Sequence, residues 1–281
     1  MPVPPHSPVP TGEDTEHPAT GADPSYARRF ADRYDSWFTR EALTEDTVGF
    51  LASRAGAGGR TLELGVGTGR IALRLVGRGI RVDGIDASPR MAAQLAAKAG
   101  GDRVAVTIGD FTRLPPARVP YDLVYAAAGT LFELPSQEAQ SSCFRSVAGL
   151  VGDAGAFVLD AIVPEVLIGP AWSDGHEVPT PGSDRVTLHR RFEPARQRYH
   201  SHYTITLGGA DGGAGNGGNG RKDDRGRTEH VHIVFRYAGA GELDLMAQQA
   251  GLELRERYGS WAGDPFSDDS PYHVSVYRPA R

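Results

Sequence analysis

Short apolar runs alternate with helically spaced ones through the middle of this chain. Arg60–Leu64 (RTLEL) reads as a strand, and Thr68–Arg78 carries Ile71, Leu73, Leu75 and Val76 at helical spacing. Ile80–Ile85 is a second strand, and Ser88–Lys98 is an Ala-rich helix with Ser88 placed to cap it. Val104–Ile108 and Tyr121–Ala126 follow as strands, then a helix near Ser136–Leu150 and a fifth strand, GAFVLDAI, over Gly155–Ile162. Strands alternating with helices at this interval predict βαβ units and a parallel sheet.

After Pro164 the rhythm changes. Val186–Phe192, Tyr199–Leu207 and Thr228–Tyr237 read as strands with no helix between them, hence an antiparallel unit inserted after the fifth strand. Gly241–Gln249 returns to helix, and Leu252–Tyr258 and Tyr272–Arg278 are closing strands. Tyr26–Leu51, rich in aromatics and charges, predicts helices ahead of the first strand. Residues 1–24 are Pro, Thr, Gly and acid, and Gly208–Arg227 is a Gly-rich tract. Neither buries enough apolar surface to offset its ordering entropy, so both are expected to be disordered. The divisions are therefore a tail (1–24), cap helices (25–58), a Rossmann-like core (59–165), the antiparallel unit (166–240, with loop 208–227) and a closing helix and strands (241–281).

Composition narrows the partners. A formal charge of −5 argues against a protein that lives on phosphate backbones. No apolar run approaches the roughly 18 residues of a membrane helix, and no basic-then-apolar leader opens the chain. The single cysteine, Cys143, forms neither an internal disulfide nor a thiolate metal cage. The expectation is a cytoplasmic protein acting on neither nucleic acid nor membrane, as a monomer or homodimer; a small-molecule partner enters only with the resemblance to a known family.

The chemistry concentrates between the first strand and the first helix, in Glu63-Leu64-Gly65-Val66-Gly67-Thr68-Gly69-Arg70. Glycines there allow a sharp turn and let a ligand touch main-chain atoms. A dinucleotide fingerprint needs its third glycine where Arg70 stands. Asp86, in GIDAS, ends the second strand, where a carboxylate accepts from ribose hydroxyls. Asp110-Phe111, in IGDF, ends the third and offers an acceptor for an exocyclic amine beside an apolar face. All three fall at strand C-termini, where open α/β sheets bind ligands.

E-L-G-x-G-T-G, then G-I-D-x-S-x-x-M, then G-D-F resembles the class I S-adenosylmethionine-dependent methyltransferases, over about Arg60 to Pro164. The final helix and strands resemble the closing elements of that fold, with the last strand antiparallel, and YARRFADRYDSWF resembles the helices that close over the cofactor. Bacterial enzymes acting on small molecules, including amino-sugar N-methyltransferases of natural-product pathways, are the most similar members. The resemblance implies S-adenosyl-L-methionine as cofactor. Glu63 and the Gly65, Gly67, Gly69 turn would hold its methionine part, and Asp86, followed by Ala87, the ribose. Met91 would lie near the adenine, Asp110 would take the adenine amine with Phe111 beside the ring, Ala127 would approach the sulfonium through its backbone, and Tyr34 would be a lid residue. Ala126-Ala127-Ala128-Gly129-Thr130 departs from relatives that carry a polar residue there, so no catalytic group is assigned after the fourth strand.

Two rival readings stand beside this one. A nicotinamide oxidoreductase on a similar sheet is disfavoured by the glycine spacing and by the lack of a Tyr-x-x-x-Lys pair. A cofactor-holding scaffold without chemistry is kept open by the Ala-rich stretch. Nucleic-acid methylation lacks an Asp/Asn-Pro-Pro-Tyr/Phe element after the fourth strand. For the acceptor, Trp37, His200, His202, His230 and Tyr237 are the candidates. His200-x-His202 and His230-x-His232 each place two rings on one strand face, and a hairpin pairing 200 with 232 and 202 with 230 gathers all four. Such a group could hold a metal, supply a base facing the acceptor, or be the polar face of a hairpin whose long loop leaves register unfixed. No metal is assigned.

Overall fold

The computed structural model describes residues 31, 34–38, 41–114, 118–168, 176–178, 180, 183–208 and 227–280. The expected tail at 1–24 and all but the ends of the expected loop at 208–227 lie outside the described residues. Two short cap helices, α1 (Tyr34–Phe38) and α2 (Glu41–Ala55), precede β1 (Arg60–Leu64), α3 (Ala72–Gly77), β2 (Arg81–Asp86), α4 (Pro89–Ala96), β3 (Ala105–Ile108) and β4 (Tyr121–Ala126). Then come α5 (Gln137–Ala148), β5 (Val151–Ile162), α6 (Pro164–Ile168), β6 (His176–Val178), β7 (Arg185–Glu193), β8 (Arg198–Thr206) and β9 (Thr228–Arg236). The chain closes with α7 (Ala240–Gln249), β10 (Leu252–Tyr258) and β11 (Tyr272–Pro279).

Seven strands form one sheet in the order β10-β11-β5-β4-β1-β2-β3. The first five pair in parallel, and β11 runs antiparallel to both β5 and β10. Successive residues of the central strands feed opposite layers. Val124, Ala126, Phe157 and Leu159 pack with Cys143, Phe144 and Val147 of α5 and Leu243 and Met246 of α7. Leu123, Tyr125, Ala156 and Val158 pack with Val48 and Leu51 of α2 and Leu75 and Val76 of α3. A sheet covered on both faces explains why these strands read as continuous apolar runs. Local chemistry agrees with the packing at the helix starts. Ser88 Oγ accepts from Met91 N at 3.2 Å with Pro89 at the first turn, and Ser136 Oγ accepts from Ala139 N at 3.1 Å.

The antiparallel unit is a second sheet in the order β6-β7-β8-β9, its outer strand β6 adding to the three strands the pattern predicts. Its inward face carries Val186, Ile205 and Val231 against Trp37 of α1, and Phe192, Tyr199 and Phe235 against the main core. The register differs from the pairing expected for the histidines: His202 lies opposite His232, and Thr204 opposite His230. The shift is two residues, so no side chain changes face. With the long loop imposing no register, the inward face sets it, and Tyr199 stacks on its partner Phe235 with centroids 4.7 Å apart.

Arg236, at the end of β9 and 4% exposed, fastens this sheet to the core. Its guanidinium donates to Gln140 of α5 at 2.5 Å, to Gln197 at 2.7 Å and to Glu242 of α7 at 2.5 Å. Removing the cation alone leaves Glu242 and two amides facing a cavity. Arg236→Ala is therefore expected to cost about 3–5 kcal/mol of unfolding free energy, read by denaturant titration.

Candidate active site

The site grows from the turn after β1. Gly65, Gly67 and Gly69 all have left-handed backbone, with φ of 70°, 53° and 80°. The amides of Gly65 and Val66 both donate to Ile85 O, at 2.8 and 3.1 Å, which holds the turn against β2. A Cβ on Gly65 would stand 2.6 Å from Thr130 Cγ2, whereas one on Gly67 would meet nothing nearer than 3.9 Å. The first glycine is thus required by packing, and the second leaves open room over bare backbone.

Asp86 sits beside it at the tip of β2, buried. Its Oδ2 accepts from Gly67 N at 2.7 Å and its Oδ1 from Ser88 N at 2.8 Å. Ala87, half-buried, follows it at the edge of the crevice. One strand further, Asp110 Oδ1 accepts from Thr112 N at 2.8 Å, with Phe111 buried next to it.

Glu63 is the buried acid behind the turn. Tyr125 OH donates to it at 2.9 Å, and the Ala72 amide donates as well. Burial pushes its pKa up to about 8, against the pull of Tyr125 and the Arg70 guanidinium. A carboxyl so deprived of solvent suits a bound ammonium.

Beyond β4 the chain passes Ala127, buried, into Ala128 and Gly129, both left-handed at φ 62° and 73°. Asp160, on β5, holds them: its Oδ2 accepts from Ala128 N at 3.0 Å and its Oδ1 from Gly129 N at 2.7 Å, while Trp261 Nε1 donates at 3.0 Å. Burial raises the Asp160 pKa, and those donors act against the rise. This carboxylate lies more than 30 residues from the alanines in sequence, beyond the reach of a local motif.

The cap is tied down by Asp35. Thr68 Oγ1 donates to it at 2.6 Å and Lys98 Nζ lies 2.5 Å away, while Lys98 also donates to Thr68 O at 2.7 Å. Next to it, Tyr34 packs on Met91 and Ala31. Burial pushes the Tyr34 hydroxyl up to about 12, with Arg70, Glu133, Tyr203 and Asp86 acting on it in turn. Tyr34 therefore stands between the ribose acid and the antiparallel sheet.

That sheet presents Arg190, Tyr199, Ser201 and Tyr203 on its inward face. Tyr199 and Tyr203 both feel the Arg190 and Glu133 charges, and burial raises both phenols and lowers the Arg190 guanidinium. Glu133 belongs to a short helical turn, Thr130–Glu133, just after β4. It had no motif to flag it, and the two tyrosines and Arg190 carried only a strand's alternation. Trp37 lies buried at this boundary. The ring of Tyr237 is buried in the main core. His200, His202 and His230 stand on the opposite face of the sheet from Tyr199 and Tyr203. The structure gathers His200 and His202 with His232, whereas His230 stands opposite Thr204.

Residues 61–155 match the family described as "Methyltransferase domain". The fold superposes on the CcbJ methyltransferase from Streptomyces caelestis with a TM-score of 0.78 and 31% identity, covering 92% of this chain and 99% of that one. The cypemycin N-terminal methyltransferase of a Streptomyces species is 29% identical over 252 residues, 88% of this chain and 94% of that protein. SAM-bound CalS10, an amino pentose methyltransferase from Micromonospora echinaspora involved in calicheamicin biosynthesis, shares the fold at a TM-score of 0.64 and 17% identity, covering 93% of this chain and 100% of that one. The chain belongs to the S-adenosylmethionine-dependent methyltransferases, and S-adenosylmethionine is its cofactor. The open cradle over Gly67, the acid at the tip of β2 and the buried Glu63 fit that group.

Asp86→Ala should weaken binding of S-adenosylhomocysteine by about 1–3 kcal/mol in calorimetry, because it removes an acceptor and frees the Gly67 amide. Glu63 predicts a pH dependence. Between its unfolded pKa near 4.5 and its folded value of about 8, the unfolded chain gives up this proton and the folded one keeps it. Stability of the cofactor-free chain therefore falls as pH rises through that window, by at most about 4–5 kcal/mol, and levels off above it. Chemical denaturation at several pH values should show this slope reduced in Glu63→Gln.

Proposed function

We propose that this enzyme transfers the methyl group to the nitrogen of an amine on a natural-product-type small molecule in secondary metabolism. The observation that carries the reading is the Glu133 carboxylate, placed one turn beyond β4 and acting on Tyr34, Tyr199 and Tyr203 alike. A carboxylate whose charge reaches these three phenols is suited to receive a protonated amine, hold it, and accept the proton that must leave before nitrogen attacks. Bound S-adenosylmethionine supplies a methyl on a sulfonium, ready for in-line displacement.

The rest is positioning by the chain. Glu63 and the Gly65–Gly69 turn hold the methionine part, Asp86 with Ala87 the ribose, and Asp110, Phe111 and Met91 the adenine. The Ala127 backbone, stiffened through Asp160, borders the reacting centre. Tyr34 and Trp37, brought down by the Asp35 contacts, close the site from above and keep water out. Holding two reactants collinear supplies roughly 7–11 kcal/mol of the barrier reduction in favourable geometries. The name of the cypemycin N-terminal methyltransferase, a relative over 88% of this chain, supports nitrogen as the target. Among the described residues no helix is long and apolar enough to cross a membrane. A buried, unpaired Cys143 supports a reducing, cytoplasmic setting, and the enzyme is read as a monomer or homodimer.

The experiment is turnover with S-adenosylmethionine and paired acceptors, amino sugars and peptide amino termini against their hydroxyl analogues, followed by mass spectrometry. Methylation of the amines and not the alcohols is expected; the reverse preference rules out nitrogen. Glu133→Gln should lower kcat/KM about 100-fold, most strongly below the acceptor's own pKa, with cofactor affinity unchanged.

A further inference from the structure

The outward face of the antiparallel sheet carries a second constellation that methyl transfer does not use. His202 and His232 pair directly across β8 and β9, their rings stacked 4.2 Å apart and 4° from parallel. His200, two residues along β8, brings its Nδ1 to 3.0 Å from His232 Nε2. One ligand nitrogen from each of the three lies within 4.8 Å of the others. His189 of β7 stands opposite His202 on the other side, so imidazoles run across three adjacent strands.

We propose that His200, His202 and His232 form a binding site for a divalent transition-metal ion of the zinc class, which fastens β8 to β9 on the outward face. Three imidazoles are a ligand set that suits such ions, leaving a further position for water or His189. Tetrahedral coordination at about 2.0–2.1 Å sets ligand nitrogens roughly 3.3 Å apart. The 3.0 Å pair stands at nearly that spacing, and rotation about the side-chain torsions of His202 brings in the third. The rings must leave their parallel stack to do so, because ring lone pairs lie in the ring planes.

The surroundings favour the exchange. His200 Nε2 lies 3.3 Å from Glu193 Oε1, so when Nδ1 takes the metal the ring proton sits on Nε2 and donates to that carboxylate, the outer partner a metal-bound histidine needs. Arg191 is the adverse charge, 3.3 Å from the same nitrogen, but it is paired with Glu193 at 2.8 Å. His230 is excluded by the register, its Nδ1 facing Thr204 Oγ1 at 3.3 Å. The consequence for the enzyme is rigidity: β8 presents Tyr199 and Tyr203 inward and β9 their partners Phe235 and Val231, so a clamp outside steadies the wall inside.

The test uses the full-length, untagged chain stripped with chelator. Titration with ZnCl2 in a calorimeter should show one ion per chain, and Co2+ should give visible d–d bands of a low-coordinate site. His202→Gln and His232→Gln should each weaken Zn2+ binding by about 100-fold or more, with S-adenosylhomocysteine binding retained as the check on folding, while His230→Gln should bind Zn2+ as the parent does. Histidine carbethoxylation of the unaltered chain, mapped by mass spectrometry, gives an answer that needs no variant: Zn2+ should protect 200, 202 and 232. Absence of binding heat and d–d bands, unchanged affinity in a folded His202→Gln or His232→Gln, or protection confined to other histidines overturns the proposal.

Discussion

The carboxylate of Asp86 accepts one hydrogen bond from the Gly67 amide and one from the Ser88 amide, and through them joins the glycine turn, the tip of β2 and the start of α4. The glycine turn comes from β1, the acid from β2, and Ser88 starts α4. Because the turn is also bonded at Gly65 and Val66 to Ile85, the end of β2 dictates where the main chain of the turn lies. A cofactor that reaches both the turn and the acid meets a surface already formed, so binding orders little of the protein and the binding energy is kept for orientation. The two oxygens that organise the cradle are also the ones proposed to accept from the ribose.

The antiparallel sheet works as a two-sided wall. Alternation along β7, β8 and β9 sends aromatic and apolar residues with Arg190 inward and histidines with Arg191 and Glu193 outward. The inward side packs Val186, Ile205 and Val231 on Trp37 of α1 and Phe192, Tyr199 and Phe235 on the main core. The buried Arg236 cluster sets where that wall stands relative to β4, and so how far Glu133 lies from the tyrosines it acts on. On the proposed function, acceptor chemistry depends on this tether, a division of labour common where one type of cofactor site serves many acceptors.

Much of the cofactor side was legible along the chain. Strand-turn-helix signals bracket Gly65–Gly69, Asp86 and Asp110 fall at the tips of the next two strands, and each depends on neighbours within a few residues. The acceptor side was not. Glu133 follows an unremarkable turn, Asp160 supports Ala128 and Gly129 from another strand, and Asp35 reaches Lys98 across more than sixty positions; no local pattern announces such pairs. The histidine hairpin was half legible. Period-two alternation put the rings on one face, but the pairing was off by two residues, since a long loop leaves register to the packing of Tyr199, Phe235 and their neighbours.

What the sequence by itself determined is the order of strands and helices, the glycine turn and the acids that ride on strand ends, because these follow from periodicity and from backbone freedom at particular positions. Only the tertiary structure decided which face of the inserted sheet meets α1 and the core, which tyrosines feel the Glu133 charge and which imidazoles touch. Those outcomes depend on register and docking, and both are set by burial summed over residues far apart in the chain.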